Sequence, residues 1–223
     1  MISAIVLAAG EGTRFAGTKQ VKRIHGKPLV QHAVDVATAA GLDEIVVVLG
    51  HDAERVRAAL DLPGNARTVV NERYREGQST SLAAGLHALD DASDAAVVLL
   101  ADQPGVSAEH VRALTQGFMP EGPSARRLRF RGTPGPALLA RKIWPEVLAL
   151  EGDVGARAML DAHPELVEEV RIDEDAPIDV DHREDLRRAS DAKEPHPRGG
   201  AAHLRPGREG LAVEDDRHPE IPV

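Results

Sequence analysis

Cysteine is absent from the 223 residues, which excludes a disulfide scaffold, a thiolate zinc site and a cysteine nucleophile. Basic side chains are also outnumbered, with 27 against 36 acidic ones. The resulting net charge of −9 argues against nucleic-acid binding as the main activity. Aromatic side chains are few, so no stacking platform for single-stranded nucleic acid is expected. The chain carries only Phe15, Tyr74, Phe118, Phe130 and Trp144.

Long apolar runs are missing as well. The longest, Ile2–Ala9 and Ala95–Ala101, are far shorter than the roughly 20 residues of a membrane-spanning helix. The amino-terminal run has no basic leader before it, which argues against a signal peptide. We therefore expect a cytoplasmic protein with no membrane and no nucleic-acid partner. The ten histidines are scattered without a His-Glu-x-x-His pair, so no zinc site is predicted.

The apolar runs that are present are short and alternate with helical patterns. Nearly continuous apolar runs of this length are typical of strands buried on both faces of a parallel sheet. Their alternation with helices predicts an α/β fold with a mostly parallel sheet. The predicted strands are 2–9, 44–49, 67–70 and 95–101, and the predicted helices are 28–41, 52–60, 107–118 and one from Ser79 or Ser81 to Leu89.

The pattern changes after residue 118, where the sheet is expected to become partly mixed. Strands are predicted at 126–131, 137–139 and 166–172, with helices at 140–149, 153–162 and 182–190. Beyond that point the chain is rich in Pro, Gly and charged residues and has few large apolar ones. We therefore predict one domain over residues 1–190 and a disordered or loosely attached tail over residues 191–223.

A glycine-rich segment follows the first strand and is suited to phosphate binding. Gly10 and Gly12 allow backbone amides to approach an anion, while Arg14 and Lys19 supply positive charge. An ordinary strand-to-helix turn with solvated charges is the alternative. The segment is not a P-loop, since Thr18 precedes the lysine. Nor is it a dinucleotide fingerprint, since a phenylalanine occupies the place of the third glycine.

Three further polar clusters follow other strands or open a helix. They are Asn71, Gln78–Ser81 and Asp102. Because ligands of open parallel sheets bind beyond the carboxyl ends of the strands, these clusters and the glycine-rich segment should converge there. Asp102 is the candidate carboxylate for Mg²⁺, with a plain turn aspartate as the alternative. Ser79 and Ser81 either bind ligand or cap a helix.

Several of these segments resemble one family together. Residues 7–19 read Leu-Ala-Ala-Gly-Glu-Gly-Thr-Arg-Phe-Ala-Gly-Thr-Lys, which resembles the nucleotidyltransferase signature Leu-Ala-Ala-Gly-x-Gly/Ser-x-Arg-Phe/Met-x-Gly-x-Lys. The chain is similar to the MobA-like NTP-transferase family, and within it to the molybdenum cofactor cytidylyltransferases. The likeness continues through Lys-Gln-Val-Lys-Arg-Ile-His-Gly-Lys-Pro-Leu at 19–29, Gly-Gln-Ser-Thr-Ser-Leu at 77–82, Ala-Asp-Gln-Pro at 101–104, Gly-Asp-Val-Gly-Ala-Arg at 152–157 and Ile-Asp-Val-Asp at 178–181.

The resemblance implies a three-layer αβα, Rossmann-like nucleotidyltransferase fold and transfer of CMP from CTP to a phosphate acceptor. The implied acceptor is a molybdopterin-type cofactor, with a molybdenum hydroxylase as client enzyme and Mg²⁺ as the metal. Ala8-Ala9 favours CTP, since guanylyltransferases usually carry Gly-Gly there. The implied catalytic residues are Arg14, Lys19 and Asp102, the metal ligands are Asp102 and Asp181, and the nucleotide-binding residues are Leu7, Ala8, Ala9, Gly10, Gly12, Arg14, Lys19, Asn71, Ser79 and Ser81.

Other interpretations stay open at this point. The acceptor could be a sugar, a polyol or another phosphate, because Pro134-Gly135-Pro136 stands where the family usually has Gly-His-Pro. A non-catalytic protein that binds a nucleotide or cofactor is a further alternative. Asp181 could instead cap a helix from His182, and Asp153 is expected to cap the helix that begins at Val154.

The tail leads to a testable prediction. Its only large aliphatic residues are Leu204, Leu211, Val213, Ile221 and Val223. That is too little apolar surface to offset an ordering cost of roughly 1–2 kcal/mol per residue. A chain ending at Ala192 should therefore fold, keep its Tm within a few degrees and retain CTP-dependent activity. Calorimetry and an activity assay check this, and an insoluble or inactive truncated protein would place the domain boundary elsewhere.

Overall fold

The computed structural model describes residues 1–12, 15 and 17–191. The predicted tail, apart from Asp191, therefore lies outside the described residues. The strands are β1 Ile2–Ala8, β2 Arg23–Ile24, β3 Lys27–Pro28, β4 Glu44–Leu49, β5 Ala66–Val70, β6 Ala95–Leu100, β7 Ala125–Arg129, β8 Pro134–Ala140 and β9 Val167–Arg171. The helices are α1 Leu29–Ala40, α2 Ala53–Ala58, α3 Gln78–His87, α4 Ala108–Thr115, α5 Trp144–Leu148, α6 Ala156–Ala162 and α7 Arg183–Asp191.

A seven-stranded sheet in the order β5-β4-β1-β6-β8-β7-β9 forms the centre of the molecule. The pairs among β5, β4, β1 and β6 are parallel, while β8 is antiparallel to both of its neighbours. The antiparallel pairing of β7 with β8 has a local cause. Phe130 and Thr133 exchange backbone hydrogen bonds of 2.9 and 3.2 Å, and so tight a turn can join only antiparallel strands. The mostly parallel, partly mixed sheet is therefore confirmed.

Helices cover both faces of this sheet. Alternate residues of β1 point to opposite faces, so Ala4 and Val6 pack into one core while Ile5 packs into the other. The first core includes residues of α1 and α4, and the second includes residues of α3, α5 and α6. This is the expected three-layer αβα arrangement. The layers are built from Val, Leu, Ile and Ala with few aromatic side chains.

Element boundaries agree with the sequence predictions in the parallel half and differ more beyond it. Ser107 caps α4 as expected, because its Oγ accepts the His110 N–H at 3.2 Å. Neither Ser79 nor Ser81 caps α3, since that helix begins at Gln78 and Gly77 is its N-cap residue. The helix predicted at 140–149 is a 3₁₀ turn followed by α5, and the one predicted at 153–162 begins only at Ala156.

Among the described residues, no helix has both the length and the apolar character needed to cross a bilayer.

Gly85 sets the distance between α3 and the sheet, which leads to a prediction. A Cβ there would lie 2.5 Å from Ile5 Cγ2 and 3.2 Å from Val48 Cγ2. Overpacking of this kind typically costs about 1–3 kcal/mol, more than the roughly 1 kcal/mol that alanine adds in helix propensity. Gly85→Ala should therefore lower the free energy of unfolding, measured by urea denaturation.

Gly64→Ala is the matched control, since a Cβ at Gly64 meets nothing within 4 Å. It should be neutral or slightly stabilising. A Gly85→Ala protein as stable as the control would show that α3 can move away from the sheet at little cost.

Candidate functional site

Three charged side chains meet at the carboxyl edge of the central strands. The Lys19 Nζ lies 2.8 Å from Asp102 Oδ2 and 3.2 Å from Asp181 Oδ1. The side chains are 13%, 30% and 50% exposed in that order. We call these three residues the charge cluster. They come from the glycine-rich segment, from the end of β6 and from the segment before α7. The predicted convergence is therefore observed for Lys19 and Asp102, and Asp181 joins them.

Asp181 reaches the cluster through its neighbour Val180. The Val180 N–H donates to the backbone oxygen of Asp102 at 2.9 Å, which joins the segment before α7 to the end of β6. The Val180 side chain is fully buried in a small apolar cluster with Phe15, Ile24 and Leu29. These two contacts of Val180 fix the backbone next to Asp181, and the Asp181 carboxylate contacts the lysine.

The Asp181 carboxylate accepts a hydrogen bond from Lys19, and no N–H group of the first turn of α7 donates to it among the described residues. Asp185, inside α7, instead stabilises the start of this helix, since its Oδ2 accepts the N–H groups of Asp181 at 3.2 Å and His182 at 2.8 Å. These two hydrogen bonds lower the pKa of Asp185 below its ordinary value, because they stabilise the charged form.

The pKa values of the site follow from burial and from this crowding of charge. Burial would lower the pKa of Lys19, but the charges of Asp102 and Asp181 and their hydrogen bonds outweigh it and raise the pKa above its ordinary value. Asp179, two residues before Asp181, has a raised pKa because its carboxyl group is partly desolvated by its neighbours and faces both carboxylates. A 2.7 Å hydrogen bond from Gln103 opposes that rise.

The glycine-rich segment holds the Lys19 backbone tightly. Gly12 has φ +58°, and a Cβ there would lie 3.1 Å from Lys19 Cβ. The Gln20 amide donates to the Gly10 carbonyl at 2.6 Å, and the Thr18 hydroxyl donates to Asp52. The segment therefore folds back on itself around the lysine. Arg14, which was expected to share the phosphate contacts, lies outside the described residues.

Asn71 and Ser81 form a second polar cluster that joins β5 to α3. The Asn71 amide donates to Thr80 Oγ1 at 2.9 Å and to Ser81 Oγ at 3.0 Å. Its oxygen accepts the Arg73 N–H at 2.9 Å. Asn71 and Ser81 are both buried. Ser79 is directed elsewhere, since its hydroxyl donates to the Gly152 carbonyl at 2.7 Å.

The segment at residues 152–155 packs directly on the start of α3, which sequence reasoning missed. A Cβ on Gly77 would lie 2.1 Å from the backbone carbon of Gly152. Asp153 does not cap a helix beginning at Val154. Its Oδ1 accepts the Gln78 N–H at 3.3 Å, so it serves α3 instead. Both segments are rich in glycine, which permits close approach, but no signal in one sequence pairs them.

Leu7, Ala8 and Ala9, which were expected to bind the nucleotide, lie at the carboxyl end of β1. Leu7 and Ala8 end β1, and the Ala9 side chain is buried. The Ala9 carbonyl accepts the His51 N–H at 3.1 Å. A Cβ on Gly50 would lie 2.8 Å from Ala9 Cβ, so the Ala9 methyl group occupies the space beside the next strand end.

A large cavity has a lining that is separate from the charge cluster. It has a volume of about 530 Å³ and lies between α1 and α4, where Val36, Pro104 and Ile178 are among its lining residues. None of the three charged residues lines it. We assign the functional site to the sheet edge rather than to this cavity, because the converging charges are at the edge. A smaller cavity of about 20 Å³ beside the edge is lined by Gln103, Arg157 and Asp179 among others.

The charge cluster can hold a divalent cation such as Mg²⁺. Its two carboxylates approach one ammonium group closely, so their oxygens lie near one another. In the described part of the chain no group of three or more His, Cys, Asp or Glu residues is arranged to hold a metal. Magnesium does not need one, since it usually takes one or two carboxylates and completes its octahedron with water and phosphate.

Comparisons with known proteins show which family this chain is similar to. Residues 4–167 match the family described as the MobA-like NTP transferase domain. Nicotine blue oxidoreductase from Paenarthrobacter nicotinovorans is 32% identical over 196 residues, which are 84% of this chain and 95% of that protein. Bifunctional GlmU proteins also match, for example the one from Sorangium cellulosum at 35% identity over 51% of this chain. The chain spans about a quarter of the length of that relative.

Solved structures of similar fold span nearly the whole described chain. Rv0371c from Mycobacterium tuberculosis superposes with a TM-score of 0.77 at 29% identity, covering 86% of this chain and 98% of that one. A structure of the same protein is described as a complex with manganese. A nucleotidyl transferase from Methanothermobacter thermautotroptrophicus has a TM-score of 0.73 at 25% identity, covering 86% and 96%.

The raised pKa of Lys19 gives a prediction for stability against pH. A lysine whose pKa is raised by folding contributes stability that is complete below its unfolded pKa of about 10.4 and is lost as pH rises through the higher folded value. Replacing it by methionine leaves two carboxylates facing each other. Lys19→Met should therefore cost about 1–3 kcal/mol near pH 8, and the difference from wild type should shrink toward pH 11.

Urea denaturation across that pH range measures the difference. Lys22→Met removes a positive charge three positions away for which no ion pair was found among the described residues, and its difference from wild type should not vary in this way. If the free energy of unfolding of Lys19→Met differs from that of wild type by a constant amount from about pH 8 to pH 11, folding does not raise the pKa of Lys19.

Proposed function

The chain belongs to the MobA-like NTP transferase family, and on that premise we propose that it transfers CMP from CTP to a phosphate-bearing acceptor and releases pyrophosphate. The acceptor we favour is a molybdopterin-type cofactor, with a molybdenum hydroxylase as client enzyme. The observation that carries the proposal is the meeting of Lys19, Asp102 and Asp181 at the carboxyl edge of the sheet.

Nucleotidyl transfer needs positive charge where negative charge develops. An oxygen of the acceptor phosphate attacks the α-phosphorus of the nucleotide, a new P–O bond forms, and the bond to pyrophosphate breaks with its electron pair on the leaving oxygen. The Lys19 ammonium is proposed to bind that leaving group, and its raised pKa keeps it charged at neutral pH. Arg14 is proposed for the same role. An acceptor phosphate is already anionic, so no general base is required.

Asp102 and Asp181 are proposed to hold Mg²⁺. The ion, when bound, would neutralise negative charge on the phosphate oxygens. The manganese complex of Rv0371c, a protein of similar fold, supports a divalent cation in this role. The backbone hydrogen bond between residues 180 and 102 keeps the Asp102 and Asp181 side chains close to each other.

The nucleotide would lie on the floor formed by Leu7, Ala8 and Ala9, with Gly10 and Gly12 beside its phosphates. Asn71 and Ser81 are proposed to recognise the base from the cluster at the start of α3. Ser79 acts through the Gly152 segment rather than by direct contact. The Ala9 side chain is buried against Gly50, so this floor would present backbone atoms to the base, and the preference for CTP rests on the resemblance of Ala8-Ala9 to the cytidylyl-type segment.

Three alternatives differ from this function in cofactor, turnover or acceptor. A relative is named as an oxidoreductase, but this chain has a buried phenylalanine, Phe15, where a dinucleotide fingerprint needs its third glycine. A protein that only binds a nucleotide does not need a lysine and two carboxylates around one point. A sugar or other phosphate as acceptor keeps the same chemistry, and Pro134-Gly135-Pro136 lines the small cavity beside Arg157.

Pyrophosphate release from each NTP, with magnesium and a panel of phosphate acceptors, tests the proposal. CTP should exceed GTP in kcat/KM by at least about tenfold, equivalent to roughly 1.4 kcal/mol. Asp102→Asn keeps the shape but removes the charge, so it should abolish turnover while the protein stays folded.

Asp91→Asn is the matched control, because the Asp91 side chain is fully exposed and its ion pair with Arg141 is long, at 3.6 Å. Its activity should equal that of wild type. Equal use of CTP and GTP would remove the preference for the cytidylyl reaction. Nucleotide binding without turnover on any acceptor would favour the accessory-protein alternative, and Asp102→Asn with most of the wild-type kcat would refute the metal role.

A further inference from the structure

Lys19 and the proposed metal ligands satisfy one another in this structure. The ammonium group donates to one oxygen of Asp102 and one of Asp181. Two of its three N–H donors are thus used by the carboxylates. The lysine side chain is only 13% exposed, so its charge is poorly shielded by water. The same side chain is therefore both the proposed phosphate ligand and the present counter-ion of the metal ligands.

These two roles exclude each other in one conformation. A divalent cation on the carboxylates would lie within a few ångströms of the ammonium, where two positive charges repel strongly in a partly buried site. Phosphate oxygens offer the ammonium a competing partner of high negative charge. The lysine can therefore serve either the carboxylates or a triphosphate.

The backbone confines any such change to the lysine side chain. Gly12 packs closely against Lys19, since a Cβ on that glycine would lie 3.1 Å from Lys19 Cβ. The Lys22 N–H donates to the Lys19 carbonyl at 3.0 Å, and Gln20 is bound to Gly10. The flexible four-carbon stem of lysine is the part that can move.

We infer that Lys19 is the resident counter-ion of Asp102 and Asp181, and that a nucleoside triphosphate must draw it away before the two carboxylates bind a divalent cation with full affinity. The inference rests on the proposed function and adds an order to it. Nucleotide and cation bind together with positive coupling, whereas the cation alone binds weakly. The carboxylates are thereby protected from cations in the absence of substrate.

Binding of Mn²⁺ alone, followed by the electron paramagnetic resonance signal of the free ion, tests this without any turnover. Lys19→Met should bind Mn²⁺ at least about tenfold more tightly than wild type, because the competing charge is gone. Lys19→Arg keeps the charge and should stay within about threefold of wild type. Lys19→Gln is a second neutral variant that repeats the test if the methionine variant does not fold.

Lys22→Met is the control for net charge and should bind Mn²⁺ as wild type does. The inference is overturned if the neutral Lys19 variants and wild type have the same affinity, or if Lys22→Met tightens binding equally. Failure of the proposed function is a separate result. Tighter Mn²⁺ binding by Lys19→Met with no pyrophosphate release from any NTP would keep the counter-ion role and reject the transferase proposal.

Discussion

The ammonium of Lys19 is held between carboxylates that are 83 and 162 residues away along the chain. No local preference can bring such distant charges together, and unpaired they would repel or lose hydration at considerable cost. The sheet solves this by placing the ends of β1 and β6 side by side in parallel register. The single backbone hydrogen bond from Val180 to Asp102 then adds the third charge. The last part of the domain is thus as necessary to the site as the first.

Close approach of layers is the second constraint, and small residues provide it. Gly85 lets α3 lie against Ile5 of the central strand, and Gly77 lets the same helix begin against Gly152. The start of α3 carries Ser79 and Ser81, so its position determines what those hydroxyls can reach. The Ser79 hydroxyl donates to the Gly152 carbonyl, and the Ser81 hydroxyl oxygen accepts a hydrogen bond from the Asn71 amide. Packing therefore divides two similar serines between a structural contact and a candidate binding cluster.

Buried arginine side chains also stabilise the mixed half of the sheet. Arg126 and Arg127 lie on β7 and are both buried. The Arg126 guanidinium donates to the carbonyls of Leu114 and Gln116 at 2.6 and 2.7 Å, which satisfies the end of α4. Arg127 pairs with Asp161 and Glu169. These arginines therefore hold α4, α6 and the edge strand β9 in place.

The sequence alone predicted the elements of the parallel half and the family, because short buried apolar runs and the glycine-rich segment are local patterns. It also identified Lys19, Asp102 and Asp181 as candidates, since strand ends and motif resemblance can be read residue by residue. Tertiary structure decided that they form one ion cluster, that Asp185 rather than Asp181 serves α7, and that Asp153 serves α3. Those contacts join segments far apart in the chain, and only the packed sheet brings their hydrogen-bond donors and acceptors within 3.3 Å.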